Sequence, residues 1–139
     1  MAAHALRIFL SAFAALVAYF ATGGALFAAM PWLKEEFKKH SALFREEAQM
    51  MKAMPIGMAG MFLAMLSLAV IYAHIPAVAP GALQGAGFGA LVGVHVFGAF
   101  VLHNHMNLNV SWRLTLWSGA AYLLEWIVAG TALGAIFRF

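Results

Sequence analysis

Residues 82–103 read ALQGAGFGALVGVHVFGAFVLH, a run without a single Asp, Glu, Lys or Arg. A helix needs about 20 mainly apolar residues to cross the hydrocarbon core of a bilayer, and this run is long enough. Three further apolar stretches of comparable length occupy residues 8–32, 54–72 and 114–137. The sequence therefore predicts an all-α polytopic membrane protein with four transmembrane helices.

The composition of the 139-residue chain supports this prediction. Hydrophobic residues make up 65% of the chain and charged residues 9%, with a mean hydropathy of +0.89, whereas a water-soluble domain carries about 25% charged residues. The alternating polarity of a transmembrane barrel is missing. We expect residues 1–139 to form a single transmembrane domain, and the formal charge of +3 gives no indication of nucleic-acid binding.

The charged residues are concentrated between the first two spans, where nine of the thirteen fall within residues 34–52. Apolar residues recur there at roughly helical spacing opposite the charges, which predicts an amphipathic helix over residues 33–51. It is either a solvated link between two spans or a docking site for a partner. The pair Met54–Pro55 is expected to mark its join to the second span, because the residue before a proline avoids helical angles.

The distribution of Lys and Arg predicts the orientation. Six of the eight lie between spans one and two or between spans three and four, and only Arg7 and Arg138 lie on the other side. Because positive residues favour the cytoplasmic side, we expect both termini outside and residues 33–52 in the cytoplasm. The chain would then be integral to the cell (inner) membrane, with the lipid bilayer around it.

Glycines recur every four residues along the third span, and the pattern returns in the fourth. Such stripes of small residues let helix backbones approach closely in lipid. They predict tight packing, either inside one bundle or between copies of the chain in a homo-oligomer or larger membrane complex. The glycines of these two stripes are Gly81, Gly85, Gly89, Gly93, Gly130 and Gly134.

One carboxylate, Glu125, lies in the middle of the fourth span. Ionisable groups at that depth are costly and are candidates for function. With Thr115, Ser118 and Tyr122 it forms one polar face at helical spacing. The sequence therefore predicts a polar site near the membrane midplane.

His95 in the third span lies at about the same depth as Glu125. We expect a buried pair of His95 and Glu125, with Tyr19 or Thr22 of the first span nearby. Such a site could hold a small ligand, an ion or a proton. A hydrogen-bonded cluster that only fixes the packing of the helices is the alternative.

A metal or haem site is a further interpretation. Thioether ligands suit Cu(I), although methionine also fills irregular apolar gaps. His95 could ligate a haem together with His74, His103 or a methionine opposite. Neighbouring His103 and His105 would point apart on a helix. The candidate metal ligands are His103, His105, Met54, Met58, Met61 and Met65.

The signatures of common catalytic sites are absent, since the chain has no phosphate-binding loop, nucleophile elbow or zinc-binding helix motif. It also contains no Asp and no Cys. We therefore do not expect an enzyme acting alone, although a membrane-embedded enzyme acting on lipids or quinones is compatible with the sequence.

Several stretches resemble small four-span bacterial integral membrane proteins of unknown function. They are LFREE at residues 43–47, MPIGMAGM at 54–61, GAGFGALVG at 85–93, and Glu125 with Gly130. The resemblance extends over most of the chain and implies the fold and the location only. The His103-Asn104-His105 sequence is not part of that pattern.

These observations predict a small integral membrane protein, oligomeric or a subunit of a membrane complex, that holds a small ligand, ion or proton at a midplane Glu/His site. A haem- or copper-binding redox or metal protein is the second interpretation. The third is a purely structural membrane subunit.

Overall fold

The computed structural model describes residues 2–43, 46–75 and 80–137, and over these ranges the chain is helical, without strands. A π-helical segment, Phe97–Leu102, connects the helices Ala82–Val96 and His103–Asn107 without a break. A 3-10 turn, Ser41–Leu43, follows the helix Pro31–Lys39. The six α-helices within these ranges are α1 (Ala2–Ala29), α2 (Pro31–Lys39), α3 (Glu47–His74), α4 (Ala82–Val96), α5 (His103–Asn107) and α6 (Trp112–Phe137).

Four helical segments are long and apolar enough to cross a membrane, which confirms the prediction of four candidate spans. They are Ala2–Ala29, Ala48–His74, Ala82–Asn107 and Trp112–Phe137. Each extends beyond the predicted apolar stretch at one end or both. A helix can continue past the hydrocarbon core, because capping and turn residues, and not the thickness of the bilayer, set where it ends.

The single amphipathic helix predicted over residues 33–51 is not present. Helix α2 ends at Lys39, where His40 leaves the helical angles with φ −110° and ψ 27°, and α3 begins at Glu47. The backbone N–H of Ser111, the residue before α6, donates to His40 Nε2 at 3.4 Å. This long-range contact lies at the position where the periodic pattern predicts another turn of helix. Phe44 and Arg45 lie outside the described residues.

The expected helix boundary at Met54–Pro55 is also wrong, because Pro55 lies inside α3. Proline in a helix removes one backbone hydrogen bond, but membrane helices tolerate this through local adjustment of the freed groups. The charged link and the second span therefore share one helix.

The bundle is arranged around α6, which packs against α4 on one side and α1 on another, while α3 packs against α1. Their shared core contains Tyr19 from α1, Met65 and Tyr72 from α3, and Trp126 and Leu133 from α6. The rings of Tyr19 and Trp126 meet edge to face with centroids 5.3 Å apart. This core lies toward the C-terminal ends of α3 and α6.

The glycine stripes meet where α4 crosses α6. A Cβ on Gly89 would collide with the carbonyl oxygen of Trp126, and one on Gly85 would lie 2.8 Å from the Cα of Gly134. Added Cβ atoms on Gly130 and Gly134 would collide with the carbonyl oxygens of Gly85 and Gly81. The two backbones are thus in direct contact, and side chains larger than hydrogen would separate them.

Candidate functional site

Glu125 is near the centre of α6, about 20 Å along the helix from Trp112 at a rise of about 1.5 Å per residue. The residue is only 7% exposed. Its carboxyl faces α1, where a Cβ on Gly23 would lie 2.7 Å from Oε1. The absence of a side chain at Gly23 therefore makes room for the carboxyl between the two helices.

Two tyrosines accompany the carboxyl. Tyr19 comes from α1 and lines the same cavity as Glu125, and Tyr122 lies one turn before Glu125 on α6. Both phenols lie close enough to the carboxyl for a direct electrostatic interaction. The site therefore combines one acid with two aromatic hydroxyl groups.

These three side chains line a cavity of about 340 Å³ between α1, α3 and α6. Its remaining wall comes from Phe20, Gly23, Gly24 and Met61. Phe20 is 44% exposed on the outer surface of α1, so the cavity reaches the side of the bundle that would face lipid. Small-molecule sites typically occupy about 300–1,000 Å³, and this cavity falls at the lower end of that range.

A second cavity of about 170 Å³ adjoins the first and shares Gly23, Tyr122 and Glu125 with it. Ser118 lies in its wall together with apolar side chains of α1 and α2. Among the described residues, neither cavity is lined by Lys, Arg or His. The carboxyl therefore has aromatic and hydroxyl neighbours but no cationic one in these walls.

The structure does not bring His95 to Glu125. Gly89 and Gly93 place one face of α4 against α6, and His95, two residues past Gly93, is turned by about 200° from it. Its side chain is exposed, whereas Glu125 faces α1. The expected His95–Glu125 pair is therefore replaced by a cluster of Glu125 with Tyr19 and Tyr122.

The two candidate histidine ligands are also separated. His103 is exposed, whereas His105 is half-buried, with its Nδ1 2.7 Å from Thr115 Oγ1 and its ring centroid 3.7 Å from that of Trp112. Across the ranges that the structure describes, no group of three or more His, Cys, Asp or Glu side chains could share a metal ion.

The candidate methionine ligands lie on one face of α3, but that face is covered only toward its C-terminal end. Met65 is 1% exposed in the core and Met61 lines the cavity beside Glu125, whereas Met54 and Met58 are each 46% exposed. The stripe thus runs from the bundle surface into the core, where methionine fills space between α1 and α6.

The sequence did not reveal a polar contact between α2 and the start of α6. Glu36, 7% exposed, accepts a hydrogen bond from Ser111 Oγ at 3.3 Å and pairs with Lys39 at 2.7 Å. The hydrogen bond with Lys39 lowers the pKa of Glu36, and the hydrogen bond from Ser111 and the charge of Arg113 act in the same direction. Glu36 and Ser111 are 75 residues apart, so no local pattern pointed to this pair.

Comparison with known proteins adds no relative: no family model, no curated protein and no solved structure matches the chain. The resemblance to small four-span bacterial membrane proteins stays a prediction.

Proposed function

We propose that this chain is a small integral membrane protein that binds a small positively charged ligand, or a proton, at Glu125. One observation carries the proposal: a buried carboxyl at mid-span lines a cavity of about 340 Å³ with two tyrosines and without a basic side chain in the described wall.

The charge of the ligand follows from the cost of the carboxylate. An ionised group at the centre of a bilayer is unfavourable by several kcal/mol unless it is neutralised. A bound proton neutralises it, and so does a bound cation. Tyr19, Phe20 and Tyr122 add aromatic faces, which attract cations, whereas an anionic ligand would be repelled.

The shape of the cavity supports a lipid-soluble ligand. Most of its wall is apolar, and it reaches the lipid-facing surface at Phe20 and Gly24. A compact organic cation with apolar substituents could enter from the bilayer and place its charge near the carboxyl. A strongly hydrated ion would lose its water shell on the same path.

The experiment is a calorimetric titration of the purified protein with benzyltrimethylammonium, combined with infrared measurement of the carboxylic acid C=O stretch against pH. We expect Glu125→Gln to abolish the binding heat and to remove the C=O band of Glu125, identified as the difference between wild type and this variant. Glu35→Gln, which changes an exposed acid on α2, is the matched control and should leave the binding heat and the Glu125 band unchanged. If Glu125→Gln left both signals as in the wild type, the proposal would be wrong.

A purely structural role has one observation in its favour, because the Glu125 carboxyl packs against α1 at Gly23. In that case Glu125→Gln and Tyr19→Phe would lower the melting temperature together, and the wild-type protein would bind no benzyltrimethylammonium and show no titrating C=O band that Glu125→Gln removes.

We further propose that both termini lie outside the cell membrane, that residues 33–52 lie in the cytoplasm, and that the chain acts as an oligomer or as a subunit of a larger complex. The asymmetric distribution of Lys and Arg supports the orientation. Labelling of Ser41→Cys by an impermeant reagent from the cytoplasmic side alone would support the orientation, and a native mass above one chain would support assembly.

A further inference from the structure

We propose that Glu125 exchanges its proton with water on one side of the membrane only, the side of α2. The path is a row of hydroxyl-bearing residues that starts at Ser111, immediately before α6, and continues along α6. We call it the α6 lane: Ser111, Thr115, Ser118 and Tyr122. This inference rests on the proposed function, since it assumes that Glu125 binds a proton or a cation that competes with one.

The α6 lane follows one face of α6, extended by the residue that precedes the helix. Its four residues and Glu125 follow each other at intervals of four, three, four and three positions, which places them in a row along the helix axis. The row begins just before α6, where Ser111 Oγ accepts a hydrogen bond from the Leu114 N–H in the first turn of the helix. It ends at the buried carboxyl.

Three cavities accompany the lane. The cavities of about 340 Å³ and 170 Å³ share Tyr122 and Glu125, and a third of about 230 Å³ shares Ser118 and Tyr122 with the second. The third cavity reaches Thr115 and His105 near the end of the membrane span. Because one water molecule takes up about 30 Å³ in the liquid, each of these cavities has room for several.

Hydrogen bonds connect the lane to the α2 side. Thr115 Oγ1 forms hydrogen bonds with the Ser111 carbonyl, at 3.2 Å, and with Nδ1 of His105, at 2.7 Å. Ser111 Oγ donates to Glu36 at 3.3 Å, and Glu36 pairs with Lys39. The lane therefore meets charged and polar groups that lie outside the spans.

The titratable groups around the path come from each neighbouring helix. At the carboxyl they are Tyr19 on α1 and Tyr122 on α6, while α3 presents Met61 there and α4 turns His95 away. At the α2 end of the lane they are Glu36, Lys39, His40, His105 and Arg113.

Beyond Glu125, toward the other side of the membrane, the described residues of the bundle core are tightly packed. Trp126, Ala129 and Leu133 pack against Ala15 and Met65, and the space left among them is about 10 Å³ with an apolar wall. A space of this size holds one water molecule at most, and an apolar wall offers it no hydrogen-bonding partners. Protons therefore have a path to Glu125 from the α2 side and none through this core.

The transfer itself is a reversible protonation. A hydronium ion in the lane gives its proton to a carboxylate oxygen of Glu125, which leaves one water molecule and one neutral carboxylic acid. Release reverses the step, with a water molecule of the lane accepting the proton and the negative charge returning to the carboxylate. No other reactant is needed.

The test uses the natural absence of cysteine from the chain. Single variants Ser118→Cys and Thr115→Cys are placed in sealed vesicles and treated from either side with a charged methanethiosulfonate, which reacts with water-exposed thiolates and does not cross the bilayer. Ser41→Cys marks the α2 side. Ser67→Cys on the exposed surface of α3 and Ala129→Cys in the closed core are the matched controls.

We expect Ser118→Cys and Thr115→Cys to react at least tenfold faster from the side that labels Ser41→Cys, and the two controls not to react. Reaction of Ser118→Cys from the opposite side, or no reaction of Ser118→Cys and Thr115→Cys in variants that elute like the wild type, would overturn the proposal.

A second readout follows the proton. In deuterated buffer, Ser118→Leu, which fills the lane, should slow the isotopic shift of the Glu125 C=O band at least tenfold, while Ser67→Leu should leave it unchanged. Equal exchange rates in both variants would reject the lane. Benzyltrimethylammonium binding that is lost only in Glu125→Gln would still support the proposed function, so the two failures are distinguishable.

Discussion

Gly23 of α1 faces Glu125 of α6 so closely that a Cβ on Gly23 would lie 2.7 Å from the carboxyl oxygen Oε1 and 3.2 Å from Cδ. The next residue, Gly24, has no atom within 4 Å of the position where its Cβ would be. Adjacent glycines on one helix thus differ completely in their surroundings. Gly23 shapes the site, whereas Gly24 lies at the open side of the cavity.

The first prediction compares these two glycines. Gly23→Ala should push the carboxyl out of its position without preventing folding, because the atom in the way is the end of a side chain. We expect benzyltrimethylammonium affinity to fall about fivefold to tenfold, which corresponds to about 1 to 1.4 kcal/mol. Gly24→Ala should bind like the wild type, and equal affinities of the two variants in calorimetry would contradict the assigned role of Gly23.

The second prediction concerns the contact of α4 with α6. Gly89→Ala should force the two helices apart, because its Cβ would collide with the Trp126 carbonyl and lie 3.1 Å from the Gly130 Cα. Overpacking of this kind costs about 1–3 kcal/mol, measured as a fall in melting temperature or in resistance to denaturing detergent. Gly87→Ala, where nothing lies within 4 Å, is the control. A Gly89→Ala variant as stable as Gly87→Ala would show that the helices do not meet here, and Gly89→Leu should prevent folding or assembly.

The third prediction separates packing from copper binding along the methionine stripe. Met65→Ala removes a side chain that is 1% exposed in the core, and a core cavity of this kind costs about 2–5 kcal/mol. We expect a loss of stability at the lower end of this range. Lipid is as apolar as the core, so burial of the side chain gains little from leaving water, and the cost comes mainly from lost packing contacts. Met58→Ala, 46% exposed in the wild type, should change the stability little. Stabilisation by Cu(I) that both variants abolish would instead favour a metal site.

The fold was largely predictable because an apolar run of membrane-spanning length has few alternatives to a helix. The end of α2 at Lys39 was not predictable from the sequence, because local periodicity alone favours a continuous helix. The contact that accompanies the end of the helix joins His40 to Ser111, 71 residues away. Pro55 favours a boundary by the rule for soluble helices, whereas a membrane helix can continue through a proline and α3 does so.

The candidate site was predicted in part for a similar reason. Glu125 stands out as a charge inside an apolar run, and helical spacing places Ser118 and Tyr122 beside it. The expected pair of His95 with Glu125 is incompatible with the glycine stripe. When α4 packs on α6 through Gly89 and Gly93, His95 lies on the opposite face of α4. The contribution of Gly23 depends on the contact of α1 with α6, which no local pattern reveals.

The fourth prediction concerns the pH dependence of the α2 contact. The hydrogen bond with Lys39, helped by Ser111 and the charge of Arg113, holds the pKa of Glu36 below its usual value. A carboxyl with a lowered pKa in the folded state stabilises that state above its unfolded pKa, about 4.3, and loses this contribution as the pH falls through the lowered value. Glu36→Gln should therefore lower the melting temperature at pH 7.

The difference between wild type and Glu36→Gln should shrink as the pH is lowered below about 4, where the wild-type carboxyl itself becomes protonated. Glu35→Gln changes the neighbouring exposed acid on the same helix and should show no such dependence. Melting curves of the three proteins between pH 3 and pH 8 make the comparison. A difference between wild type and Glu36→Gln that stays constant over this range would mean that the amide loses only packing or hydrogen-bond geometry, and that the charge of Glu36 does not help to hold α2 on α6.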